Sequence, residues 1–142
     1  MKIVYSYYVL DIIHKGHLMM MRNAKMIAGE NGKLIVGILT DEAVMEKKPR
    51  PLLSFEDRME LAAAIKYVDA VVAQETYSPL QNVMRIRPDI LIESSSHNDQ
   101  DIEKARKIME EINGRVIVFP YYPGHSSTII KNKISCVSKN KK

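Results

Sequence analysis

Apolar segments that alternate with stretches of helical spacing constrain this chain more than any other feature. Lys2 to Leu10, Lys33 to Leu39, Ala70 to Ala73, Asp89 to Ile92 and Arg115 to Phe119 are rich in β-branched, aromatic or aliphatic residues and read as strands. Between them, Leu18 to Ala28, Ser54 to about Tyr67, Pro79 to about Ile86 and Asp99 to Asn113 carry apolar residues at helical spacing. A last helix, capped by Ser126 or Ser127, is expected to reach about Ser135. The punctuation agrees with these elements. Ser54 is an N-cap with Asp57 three residues on, Arg87-Pro88 is a stop, and Gly114 is the expected left-handed residue after the fourth helix. Near-continuous apolar strands alternating with helices predict an α/β fold with a parallel sheet covered on both faces. Right-handed crossovers make such a sheet doubly wound, with its ligand crevice at the switch point beyond the strand ends.

His14-Lys15-Gly16-His17 falls where the first strand hands over to the first helix. At such a turn backbone N–H groups point outward and the helix dipole favours anions, so phosphate is the expected ligand. Gly16 lets a phosphate approach where a Cβ would collide. Two imidazoles on this rim can donate to phosphoryl oxygens and stabilise charge that grows in a transition state. A His pair three residues apart is also the start of a zinc site. Zinc would need two more ligands, and the chain offers one cysteine, Cys136, and two other histidines, His97 and His125.

Composition sets the outer bounds. The 142 residues make one domain with room for a core, 46% hydrophobic and 27% charged. No apolar run approaches the roughly 20 residues that span a bilayer. A single cysteine forms no internal disulfide, so a cytoplasmic address is expected. The net charge is +4, and Lys139, Lys141 and Lys142 in the terminal run supply three of those charges. The remainder is nearly neutral, which argues against nucleic acid and leaves small anionic ligands compatible. Residues 1–135 read as one domain and 136–142 as a basic tail without structure of its own.

The motifs together resemble the cytidylyltransferase-like nucleotidylyltransferase superfamily of HxGH type. Besides His14-Lys15-Gly16-His17, the run Gly124-His125-Ser126-Ser127-Thr128-Ile129-Ile130-Lys131 is similar to that family's GISTTxIK-type segment. Gly37 to Val44, Leu53 to Arg58 and Lys66 to Val71 match its second strand, the following helix start and its third-strand entry. The wording Leu39-Thr40-Asp41-Glu42-Ala43 and Ser54-Phe55-Glu56-Asp57-Arg58 leans toward glycerol-3-phosphate and phosphonate-pathway cytidylyltransferases. The resemblance implies a Rossmann-like fold and transfer of a nucleoside monophosphate, CMP by preference, from a triphosphate to a small phosphorylated or phosphonylated acceptor. Pyrophosphate would leave, Mg²⁺ would arrive with the triphosphate, and the working unit would be a homodimer. An adenylyltransferase using ATP, of FAD synthetase or sugar-phosphate type, and a non-catalytic nucleotide-binding protein are the alternatives.

Residue by residue, His14 and His17 are the expected catalytic pair, with Lys48 and Arg58 beside them. Arg58 sits one turn into a helix, where the dipole disfavours a cation, and the family has a phosphate-binding arginine in this context. Asp11 matches the family's strand-end aspartate, with a turn or capping role as its alternative. Ser126, Ser127 and Thr128 offer three hydroxyls where a cap needs one, which points to the β- and γ-phosphates. Lys47 and Lys48 are either phosphate contacts or solvated loop charges. Two stretches depart from the family wording. Tyr8 stands where relatives carry a small residue beside the nucleotide, and either fills that pocket or packs under a covering helix; an open pocket is expected. Ser94-Ser95-Ser96-His97 replaces an acidic Gly-Asp-Asp-Trp stretch after the fourth strand.

Overall fold

A computed structural model describes residues 1–120 and 131–135. The elements run β1 (Ile3–Tyr8), α1 (Lys15–Ala28), β2 (Lys33–Leu39), α2 (Asp41–Met45), α3 (Phe55–Ala63), β3 (Ala70–Gln74), α4 (Leu80–Ile86), β4 (Ile90–Ser94), α5 (Asp99–Glu111) and β5 (Arg115–Phe119). Residues 131–135 are helical as well. The five strands form one sheet in the order β3-β2-β1-β4-β5, and every neighbouring pair is parallel.

This order places the crevice. The chain steps outward from β1 to β3 on one side, then returns to lay β4 and β5 on the other, so the switch point lies between β1 and β4. β1 pairs with β2 along its whole length from Ile3 to Tyr8, but with β4 only at Val4 and Tyr5. Beyond Tyr5 the space between β1 and β4 is available to side chains and a ligand. Alternation along β1 sends Val4 and Tyr8 into the core under α1 and α3, together with Met21, Ala24, Val36 and Ala62. Tyr5 goes to the opposite core with Val83, Leu91, Ala105 and Met109, under α4 and α5. Helices therefore cover both faces.

Three of the differences from the sequence expectation have a clear local reason. α1 starts at Lys15 rather than Leu18 because His14 caps it. The short α2 arises because Thr40 accepts from the Ala43 amide (3.2 Å) and the first turn carries Asp41 and Glu42. After α5 the left-handed residue is Asn113 (φ 60°), not Gly114. Gly114 is needed for space instead: a Cβ there would meet Met109 Cε at 2.5 Å and the Asp89 carbonyl oxygen at 2.9 Å.

Candidate active site

The two histidines of the His14-Lys15-Gly16-His17 turn build the start of α1 out of each other. His14 is the N-cap, in extended backbone, and its Nδ1 accepts from the Gly16 amide at 3.1 Å. His17, three residues on, returns the arrangement: its Nδ1 accepts from the His14 amide at 3.3 Å. This is a capping box made by imidazoles, with ring centroids 3.9 Å apart. A ring nitrogen that accepts from an amide carries no proton, so each neutral ring holds its proton on Nε2. The caps thus make both side chains Nε2–H donors.

Burial keeps His17 neutral. Loss of water, with repulsion from His14 when that ring is protonated as the lesser cause, lowers its pKa from 6.5 to about 3. A ring that binds its proton less well in the folded state costs stability as pH falls below the unfolded value. That loss starts near pH 6.5 and continues down to about pH 3. Urea titrations should therefore show the wild type about 2 kcal/mol less stable at pH 5 than at pH 7.5 on this account. His17→Gln should lose that difference; an unchanged difference would mean that His17 is not the titrating group.

The pair looks onto a cavity of about 550 Å³ at the carboxyl ends of β1 and β4, walled also by Ser6, Tyr8, Ile92 and Ser94. Tyr8 points toward α1, is nearly buried, and sets its ring edge-on against His17 at 5.9 Å. It forms a wall of the cavity and leaves the space beside it open. The Ser6 and Tyr8 hydroxyls, neighbours on this strand face, are buried and make no hydrogen bond of acceptable geometry with any described residue. Buried hydroxyls in a cavity wall are groups that a ligand commonly satisfies. Gly16 and Lys48 line the same cavity, as does the exposed Arg50. Lys47 turns away from it, toward Asp101 at 3.9 Å and over the Tyr77 ring.

Asp11, named from sequence as a nucleotide contact, is buried in the cavity wall and already engaged. It accepts from the Leu52 and Leu53 amides at 2.9 and 2.8 Å and pairs with Lys131. Burial alone would raise its pKa, but the Lys131 ammonium and the two amides outweigh burial and hold the carboxyl below its usual range. One carboxylate so ties the end of β1, the 47–53 loop and the helical 131–135 segment around the cavity. Lys131 lines the cavity too. It lies in the motif already quoted, and only its contact with Asp11, 120 positions away, shows its place.

Arg58 requires a correction. Expected to meet substrate phosphate, it is 0% exposed and does not line the cavity. Its guanidinium donates to the carbonyls of Leu39 (2.7 Å), Val9 (2.8 Å) and Leu53 (3.3 Å) and to Asp41 Oδ1 (2.7 Å). These carbonyls lie just beyond β1, at the end of β2 and in the loop before α3, and one buried fork of five donors serves them all. Arg58 therefore holds the cavity floor together from beneath. Ser126, Ser127 and Thr128 lie outside the described residues, as do residues 136–142.

On the other side of β1, Tyr7 carries a second cluster. Its hydroxyl donates to Glu93 of β4, at 2.8 Å to the nearer oxygen, and Glu93 is paired with Nδ1 of His97. Tyr7 and His97 stack at 5.6 Å and both line the cavity. From sequence His97 stood out only as a spare histidine for zinc and as part of a departure from the family wording. The cue available was a strand-end glutamate four residues before a histidine.

Comparison with known proteins agrees with this architecture. The sequence matches the cytidylyltransferase-like family over residues 9–133. It is 31% identical over 126 residues to the FAD synthase of Korarchaeum cryptofilum, covering 87% of this chain and 85% of that protein. It is 28% identical over 135 residues to the bifunctional protein HldE of Hydrogenovibrio crunogenus, where the match covers 94% of this chain but only 27% of the relative's length. Among solved structures, a lipopolysaccharide core biosynthesis protein from Thermoplasma volcanium superposes with a TM-score of 0.71 at 20% identity, over 86% of this chain and 97% of that one. No helix among the described residues is long and apolar enough to cross a membrane. The match over residues 9–133 and the likeness to the FAD synthase show that the chain belongs to the cytidylyltransferase-like family of nucleotidyltransferases.

Proposed function

We propose that this protein transfers a nucleoside monophosphate from a nucleoside triphosphate to a small anionic acceptor. An acceptor oxygen attacks the α-phosphorus, the bond from that phosphorus to the bridging oxygen breaks, and pyrophosphate leaves. The observation that carries this reading is the cap-locked imidazole pair at the switch-point cavity. It presents Nε2–H donors whose hydrogen-bond direction is set before any ligand arrives. Donors of that kind stabilise charge as it develops on phosphoryl oxygens, with no reorganisation at the moment of reaction. Arg50 at the cavity supplies positive charge near the phosphates, and Lys48 supplies it for the anionic acceptor. In this reading Ser126, Ser127 and Thr128 hold the β- and γ-phosphates through their hydroxyls. Among the described residues no three His, Cys, Asp or Glu side chains cluster as metal ligands do. Mg²⁺ in this reading is held by the triphosphate's own oxygens and needs no protein cage.

CTP is the donor that the Leu39 to Ala43 and Ser54 to Arg58 wording favours, with a phosphorylated or phosphonylated alcohol as acceptor. ATP is the second reading, favoured by the likeness to an FAD synthase over 85% of its length. A thermal-shift panel of CTP, ATP, GTP and UTP with Mg²⁺ separates them. A triphosphate held at 100 to 1,000 times its Kd should stabilise the protein by about 3–4 kcal/mol, which is several degrees in Tm. A shift with CTP, followed by pyrophosphate release on adding acceptor, supports the first reading, and a shift with ATP alone supports the second. No shift with any of the four would sink the proposal.

A further inference from the structure

The cavity holds two kinds of imidazole, and the structure gives them opposite tautomers. At His14 and His17 Nδ1 accepts from a backbone amide, so Nε2 carries the proton. At His97 Nδ1 faces the carboxylate of Glu93, which can only accept, so Nδ1 carries a proton there and the neutral ring has its lone pair on Nε2. Glu93 is 3% exposed and is held in place by the Tyr7 hydroxyl. Burial, and then the Glu93 charge, push the Tyr7 phenol far above its ordinary value, so it stays a donor to that carboxylate. The Tyr7 ring stacks on His97 and fixes the imidazole plane. No described residue hydrogen-bonds His97 Nε2, and the ring lines the cavity.

Position adds to chemistry. The His14–His17 pair packs against Tyr8, whereas Tyr7 and His97 lie on the opposite side of β1. A reaction between two substrates needs both in one cavity. With the triphosphate at the α1 turn, the part of the cavity lined by Tyr7, Lys48, Tyr77 and His97 remains for the acceptor.

We propose that His97, oriented by Glu93 and Tyr7, selects an acceptor bearing a hydroxyl or ammonium group: its Nε2 lone pair takes a hydrogen bond from that group while Lys48 faces the acceptor's anionic end. The proposal rests on the nucleotidylyl-transfer reading. His97 touches the substrate, whereas Glu93 and Tyr7 act through it as positioning residues. Phosphate and phosphonate oxygens carry negative charge and prefer donors, so an acceptor nitrogen in the wall recognises something else on the molecule. A site built to pair with an O–H or N–H rejects the analogue that lacks it far more strongly than an apolar pocket rejects a missing methylene.

Two measurements test this. Nitrogen-15 NMR of the histidine rings in the wild-type protein at pH 7.5 reads the tautomers directly and needs no substrate. The expected result is Nδ1–H at His97 and Nε2–H at His17; Nε2–H or a doubly protonated ring at His97 overturns the proposal. The second compares 2-hydroxyethylphosphonate, 2-aminoethylphosphonate and ethylphosphonate, by calorimetric binding to the triphosphate-loaded protein and by kcat/KM. The wild type should favour one or both of the first two over ethylphosphonate by roughly tenfold or more. His97→Phe, which keeps the ring against Tyr7, should remove that preference without changing triphosphate affinity. His97→Gln, whose side-chain oxygen can accept, should restore part of it. The two acceptors separate hydroxyl from ammonium recognition. No preference in the wild type, or no binding of any of the three, overturns the selection of the acceptor. Failure of the transfer reading itself appears separately, as absence of triphosphate binding.

Discussion

Replacing His14 by Asn and His17 by Gln should leave a folded protein that has lost most of its turnover. Asn is among the best N-caps, and Gln at the third helical position is the usual partner that reaches back to the cap amide. Each substitution therefore restores the hydrogen bond that Nδ1 makes in the structure while removing the Nε2–H donor. Turnover should fall on the order of 10²–10³ for each single variant, the scale of losing one preorganised transition-state donor. Urea unfolding at pH 7.5 should stay within about 1 kcal/mol of the wild type. His14→Ala is the control that mixes the two effects: it should lose the same turnover and about 1 kcal/mol of stability besides. Both measurements are needed, since turnover near normal in His14→Asn would make the imidazole a cap and nothing more.

Arg58→Ala should be the most destabilising single change at this site, by about 3–5 kcal/mol, because it strands buried polar groups. Three carbonyls and the Asp41 carboxylate lose their donor together, and the arginine they surround is fully buried. Chemical denaturation measures the loss. Arg58→Lys keeps the charge but cannot span the same acceptors, so it should recover only part of the stability. The folded Arg58→Lys protein should bind triphosphate within a few-fold of the wild type, since Arg58 does not line the cavity. A tenfold loss of affinity with unchanged stability would instead return Arg58 to direct phosphate contact.

These two sites show what kind of information each residue carries in the sequence. The span Lys33–Leu39 was legible to the residue because a run of apolar residues bounded by a glycine turn has one natural reading. The start of α1 was missed because the usual capping residues are Ser, Thr, Asp and Asn, and here an imidazole performs the role. Arg58 was misplaced for a more general reason. A cation near a helix N-terminus is a local anomaly, and a bound phosphate is one way to explain it. The structure supplies another, the buried carbonyls of Val9 and Leu39 that accept from it, which sequence position does not disclose.

The sequence by itself determined the alternation of strands and helices, the parallel sheet that follows, and the seat of the imidazole pair at the first strand-to-helix turn. Those properties rest on periodicity and turn chemistry within a few residues, and hydrophobic burial enforces them whatever the partner. Tertiary structure alone decided which face of β1 Tyr8 occupies, that Asp11 is held by Lys131, and that Glu93 meets Nδ1 of His97. Whether a side chain is buried, and which charge it finds there, depends on groups brought together across the fold, as with Asp11 and Lys131, 120 positions apart. The tautomer of each histidine in the cavity is set by such a partner: a nearby amide for His14 and His17, and a buried carboxylate for His97.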